Sequence, residues 1–155
     1  MREAQRLADQ MRRAYDGDAW HGPSLLALLR EVPADAAFRH PVPGAHSIAE
    51  LVAHVAFWKH VAQRRTEGDA VADANGHDWR PLDPAATSWD DLRQRLASAH
   101  ASLVARVEGL DDHRLEEPVP GQAISLYVML HGIVQHDLYH AGQVAILLKA
   151  LDGNG

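Results

Sequence analysis

The chain of 155 residues contains no cysteine. Disulfides are thereby excluded, a metal site has to be built from imidazole and carboxylate, and thiol chemistry requires a thiol brought in by a substrate or cofactor. Clusters of positive charge are equally scarce. Beyond "MRR" and "QRR" there is no basic run, and the formal net charge is −6. A nucleic-acid partner, whose phosphates call for a basic face, is therefore not expected. No stretch is long and uncharged enough for a membrane span, and "MREAQRLADQMRRAYDG" lacks the apolar core of a signal peptide. Both absences point to a cytoplasmic protein without a membrane partner. Nowhere do apolar residues alternate with period two, so strands are not expected.

What is present is helical. Apolar residues make up 46% of the chain and charged residues 23%, the balance of a soluble globular protein, and the length suits one domain over 1–155. A first helical segment spans about Glu3 to Tyr15; after "GDAWHGP" it resumes near Ser24 and runs to about Val32. The second opens at Ser47, where "SIAE" reads as a capping box. Ile48, Leu51, Val52, Val55 and Ala62 then recur at helical spacing towards Gly68. A long Gly-, Pro-, Asp- and Asn-rich connection over 68–87 leads to Ser88, whose "SWDD" suits the positive end of a third helix reaching about Glu108.

The fourth helix is expected over Gln122 to Leu148, where Asp137 is the one fully charged residue. Met129, Ile133 and Leu147 fall on one face and Tyr127, Val134, Leu138 and Ala145 on another. A helix apolar on two sides predicts the innermost helix of the fold, its second face in a subunit contact, hence a homodimer. "PVPGAHS" before the second helix and "PVPGQAIS" before the fourth echo each other, each a Pro-Gly turn followed by a serine able to cap. The fold class that follows is all-α, a four-helix bundle with a long crossover between helices two and three.

Eleven histidines are several times the usual share. Most read as surface residues, but His136 and His140 in "QHDLYHAGQ" do not. Positions i and i+4 lie about 40° apart around a helix, so the two imidazoles share a face, and it is the face of Met129, Ile133 and Leu147. Buried imidazoles need partners, and a divalent ion satisfies both; separate bonds to backbone carbonyls are the alternative. "HDLYH" differs from the H-E-x-x-H of zinc peptidases in having Asp137 for glutamate, and "AGQVAILLKALDGNG" downstream offers neither His nor Glu as a third ligand. That reading fails. A third ligand has to come from upstream, among His21, His40, His46, His54, His60, His77, His100, His113 and His131. His54 is the one placed mid-helix at the margin of an apolar stripe, with Leu51, Trp58 and Val61.

"HSIAELVAHVAFW", followed far downstream by "LHGIVQHDLYHAGQVAILLKAL", resembles the DinB/YfiT-like superfamily of metalloenzymes, and "AWHGPSL" at Ala19 to Leu25 resembles its DinB-like subfamily. The resemblance covers essentially the whole chain. It implies a four-helix bundle with a three-histidine metal centre, and by position the ligands are His54, His136 and His140. Gly142 and Gln143 belong to the same motif, the glycine permitting close helix approach. Relatives of this kind include transferases and isomerases that use low-molecular-weight thiols.

Three neutral imidazoles leave a tetrahedral ion one open position, the arrangement of a catalytic site. Zinc is favoured, with nickel, manganese and iron as alternatives. The expected function is a metal-dependent enzyme acting on a small molecule, thiol S-transferase-like with a thiol co-substrate. A metal-dependent hydrolase, a non-catalytic metal- or ligand-binding bundle linked to stress, and a structural dimer with histidines in its core are the competing readings. Asp137 is expected either to fix an imidazole or to stand exposed or salt-bridged. His77, Trp79 and Arg80 of the long connection, with Trp20 and His21, are candidates for the mouth of the pocket.

Overall fold

The computed structural model of the chain describes residues 1–153. Among these residues there is no strand, and the α-helices are α1 (Glu3–Tyr15), α2 (Leu25–Arg30), α3 (Ile48–Thr66), α4 (Trp89–Glu108) and α5 (Leu126–Asp152). None is long and apolar enough to cross a membrane.

The helix starts follow from local chemistry. Ser47 Oγ accepts from the Glu50 N–H while Glu50 returns the bond to the Ser47 N–H, which closes the capping box of α3. Ser88 and Ser125 cap α4 and α5 in the same way, from the N–H groups of Asp91 and Val128. The two echoing segments adopt one turn. Val42 and Val119 each accept from the residue three on, with Gly44 at φ +78° and Gly121 at φ +75°. That is a type II turn, where proline sets the first central residue and glycine takes the positive φ of the second. The second turn continues into a backbone pairing of Val119 with Ile124 and Leu126 with Glu117. For this reason α5 begins at Leu126 rather than at Gln122.

Around the bundle α1 and α3 each pack against both α4 and α5, and α2 lies on α5. The last long helix therefore occupies a corner, with α4 diagonally opposite, rather than the centre. Its Tyr127, Val134, Leu138 and Ala145 face is half covered within the chain, Val134 by the apolar core and Leu138 and Ala145 beside Leu28 of α2. The uncovered apolar residues lie on a different line, where Val128, Tyr139 and Ile146 are 52%, 66% and 65% exposed.

The core is in two pieces. One comprises α2, the first half of α3, Trp89 to Leu96 of α4 and Ala141 to Leu147 of α5; the other joins α1, Leu103 to Val107 of α4 and Leu126 to Ile133 of α5. Between them, along three helices, fall His54, Lys59, His100, Asp137 and His140, all buried. Two of these, His54 and His140, meet His136 where the layer reaches the surface between α3 and α5.

Gly132 and Gly142 stand mid-helix in α5, where each costs about 1 kcal/mol relative to alanine. A Cβ at either position would meet nothing within 4 Å. Among the described residues no side chain or helix comes within 4 Å of where a Gly142 Cβ would stand, contrary to the close approach expected for it.

Candidate metal centre

The capping box fixes where α3 begins and so places His54 nearly two turns in, facing α5. There His136 and His140 follow each other by one turn. All three side chains meet: His54 Nε2 lies 3.0 Å and His140 Nε2 3.1 Å from His136 Nε2. One ligand atom from each of the three lies within 4.8 Å of the others. Nitrogens bound to a tetrahedral zinc at about 2.0–2.1 Å stand about 3.3–3.4 Å apart, so the set fits a single ion after shifts of a few tenths of an ångström.

The outer nitrogens decide the tautomers. His54 Nδ1 faces the backbone carbonyl of Asp78 at 3.3 Å and His140 Nδ1 faces Gln143 Oε1 at 2.6 Å. Both partners are acceptors, so both Nδ1 atoms carry the proton and both Nε2 atoms turn a lone pair inward. A proton on His136 Nε2 would satisfy one of them and leave the other facing an imidazole without a donor. A cation at the meeting point satisfies all three at once.

Electrostatics keeps the rings neutral. Burial lowers the His54 pKa to about 4 against the raising effect of the Asp78 carbonyl bond, with His140 adding to the depression. His136 falls to about 3, from burial and from the neighbouring His140 and His54. His140 is lowered by burial, opposed by its bond to Gln143 and by Asp137. Neutral imidazole is the metal-binding form, so these groups are ready to ligate well below neutral pH.

Of the residues expected at the mouth, Trp79 arrives. It stacks on His54 with centroids 3.8 Å apart and on His46 at 3.7 Å, the planes within 11° and 4°. A crossover residue thus presses on the His54 ring from outside the bundle, and Tyr139 stands edge-on to His140 at 5.1 Å. His77 and Arg80 instead line a wide groove between α3 and α4 with Phe57 and His60. Trp20 projects fully into solvent, and His21 borders a separate groove beside Leu138 and Gly142. These four line grooves that none of the three histidines borders, or stand in solvent; of the crossover residues it is Trp79 that turns onto His54.

Asp137 is neither exposed nor bonded to an imidazole. It is fully buried, and Lys59 Nζ donates to its Oδ2 at 2.5 Å. Burial pushes its carboxyl upward and Lys59 pulls it back. The ammonium also lies 5.7 Å from the centre of the Tyr15 ring, which stacks on His100 at 4.0 Å. Lys59 was legible as a partner: it interrupts the apolar stripe of α3 between Val55 and Ala62, as Asp137 interrupts the otherwise uncharged run from Leu126 to Leu148. Gln143 was legible only as part of a motif; its bond to His140 gives it a role.

The model of the DinB superfamily matches residues 18–144. No curated protein matches the chain. Two crystal structures share the fold. A DinB-like protein of Bacillus subtilis aligns with a TM-score of 0.71 at 16% identity, over 95% of this chain and 92% of its own. A conserved protein of Enterococcus faecalis aligns with a TM-score of 0.72, also at 16% identity, over 99% of both chains.

Proposed function

This chain belongs to the DinB superfamily, and from that premise we propose that it is a metal-dependent enzyme whose divalent cation is held by His54, His136 and His140. The observation that carries the reading is the convergence of three Nε2 atoms on one point, with the outer nitrogens of His54 and His140 engaged by acceptors. Three neutral imidazoles suit zinc first, then nickel, manganese or iron. Bound there, such a cation supplies the Lewis acidity that ionises a thiol or a water near neutral pH.

The protein's own groups favour a thiol as the activated partner. Asp78 lies on the Nδ1 side of His54, away from the meeting point, and Asp137 is committed to Lys59. Neither carboxylate is positioned as a general base for water, whereas a thiol is acidic enough to ionise without one. Trp79 and His46 hold the His54 ring in plane and keep water off one side of it, and Tyr139 forms an aromatic rim beside His140. We therefore read the reaction as joining a low-molecular-weight thiol to a small apolar electrophile: an S–C bond forms, and the thiol proton ends on the adduct or leaves with the displaced group. The thiol has to be carried in, since the chain has no cysteine.

The test begins with metal analysis of protein purified without an affinity tag, which should show about one equivalent per chain. His54→Ala and His136→Ala should each lose it; metal content unchanged in both variants refutes the centre. Low-molecular-weight thiols are then paired with electrophilic acceptors. Metal-dependent consumption of the thiol supports S-transfer, turnover with water alone supports hydrolysis, and metal binding without turnover on any pair leaves a binding module.

A further inference from the structure

The outer face of α5 carries a line of six residues spaced four, three, four, three and four apart: Val128, Gly132, Gln135, Tyr139, Gly142 and Ile146. That is the heptad spacing of a helix-pairing seam. Val128, Tyr139 and Ile146 are among the most exposed large apolar residues of the described chain. The seam contains no charge, and its two glycines have no reason within the chain, since a Cβ on either would touch nothing.

The order of the residues is what identifies the occupant. Val128 and Ile146 lie nine residues to either side of Asp137, Gly132 and Gly142 five, and Gln135 and Tyr139 two. Asp137 itself points the opposite way, into the core. The seam therefore reads the same in both directions by kind: aliphatic, glycine, polar-tipped, polar-tipped, glycine, aliphatic. A surface of this symmetry is complementary to itself when turned end over end, which is the requirement of an isologous two-fold interface.

We propose that the partner of this face is a second copy of the chain, with the two α5 helices antiparallel and crossing at Asp137. Val128 of each copy then meets Ile146 of the other, glycine meets glycine, and the Gln135 amide faces the Tyr139 hydroxyl. The glycines allow the helix axes to approach to the short end of the usual range of about 8–10 Å. Heptad spacing favours a shallow left-handed crossing. A two-fold axis perpendicular to both helices keeps like flanks together, so the His136 and His140 flanks of both copies look out on the same side of the pair. The pairing needs no metal, and its test is independent of the metal centre.

Because the chain has no cysteine, engineered ones report without background. A Val128→Cys, Ile146→Cys double variant, treated with a short bis-maleimide at micromolar concentration, should become a covalent dimer. Val128→Cys alone should not, because like positions would stand about 27 Å apart in the antiparallel pair. Light scattering should give a dimer for the unmodified protein. Gly142→Arg should weaken association at least 100-fold, with helix content by circular dichroism unchanged, as a Cβ there meets none of the described residues within 4 Å. A monomeric unmodified protein overturns the proposal, as does an undiminished dimer of Gly142→Arg. Cross-linking of Val128→Cys by itself overturns the antiparallel register.

Discussion

Lys59 and Asp137 form an ion pair in the middle of the bundle, Nζ to Oδ2 at 2.5 Å, with side chains 1% and 0% exposed. It joins α3 to α5 at the level where the two halves of the apolar core part. His54 lies five residues before Lys59 on one helix, and His136 and His140 flank Asp137 on the other. Whatever fixes the pair also fixes the distance between the helices that carry the three histidines.

Breaking the pair from one side should be far worse than replacing it. Lys59→Met leaves a buried carboxylate uncompensated and is expected to cost about 3–5 kcal/mol. The double variant Lys59→Met, Asp137→Leu removes both charges and should recover most of that loss. Urea unfolding of the two variants makes the comparison. A double variant no more stable than the single would show that packing, rather than unpaired charge, sets the cost.

Gln143 holds His140 in the tautomer that turns Nε2 inward. Gln143→Leu keeps the volume and loses the acceptor, so metal affinity should fall about 10–100-fold while the fold persists. Competition against a chelator of known affinity measures the change. Equal affinity in both proteins would remove the orienting role.

Acid should destabilise the metal-free protein earlier than a chain without these histidines. His54 falls to about 4, and His136 and His100 to about 3, all chiefly through burial. Each is lowered, so the unfolded chain binds protons that the folded one does not. The stability they contribute is complete above about pH 6.5 and is lost as pH falls from there towards 4 and 3. His100 lies outside the three-histidine cluster, with Nδ1 buried and unpartnered. His100→Leu should therefore flatten the slope of melting temperature between pH 6.5 and 4 without altering metal content. An unchanged slope would count against a neutral buried His100.

Trp79 presses on His54, a proposed ligand, but belongs to the crossover, so its loss should be felt in metal exchange more than in folding. Trp79→Ala is expected to cost about 1 kcal/mol of stability and to speed release of the metal to a chelator. Stopped-flow release from the two proteins tests it. Identical rates would mean that the stack guards nothing.

Much of this was written locally. Serine caps, Val-Pro-Gly turns and 3–4 apolar spacing depend on residues within one or two turns of each other. They placed the start of α3 and both proline turns correctly, but not the start of α5. The i, i+4 pairing of His136 and His140 is equally local, because helix geometry alone puts them on one face. The corner position of α5 was not legible. An apolar helix can be buried in its own chain or covered by another, and periodicity does not distinguish the two.

By itself, then, the sequence determined an all-helical chain with two imidazoles on a buried face, a lone lysine and a lone aspartate in apolar surroundings, and a palindromic seam on its last helix. Only the tertiary structure decided which groups meet. It brought His54 to His136 across 82 residues, paired Lys59 with Asp137 across 78, and laid Trp79 rather than His77 against the site. The physical reason is that a helix sets the direction of each side chain from its own neighbours. The register of one helix against another is set by the packing of every layer between them, and no short stretch of sequence contains that sum.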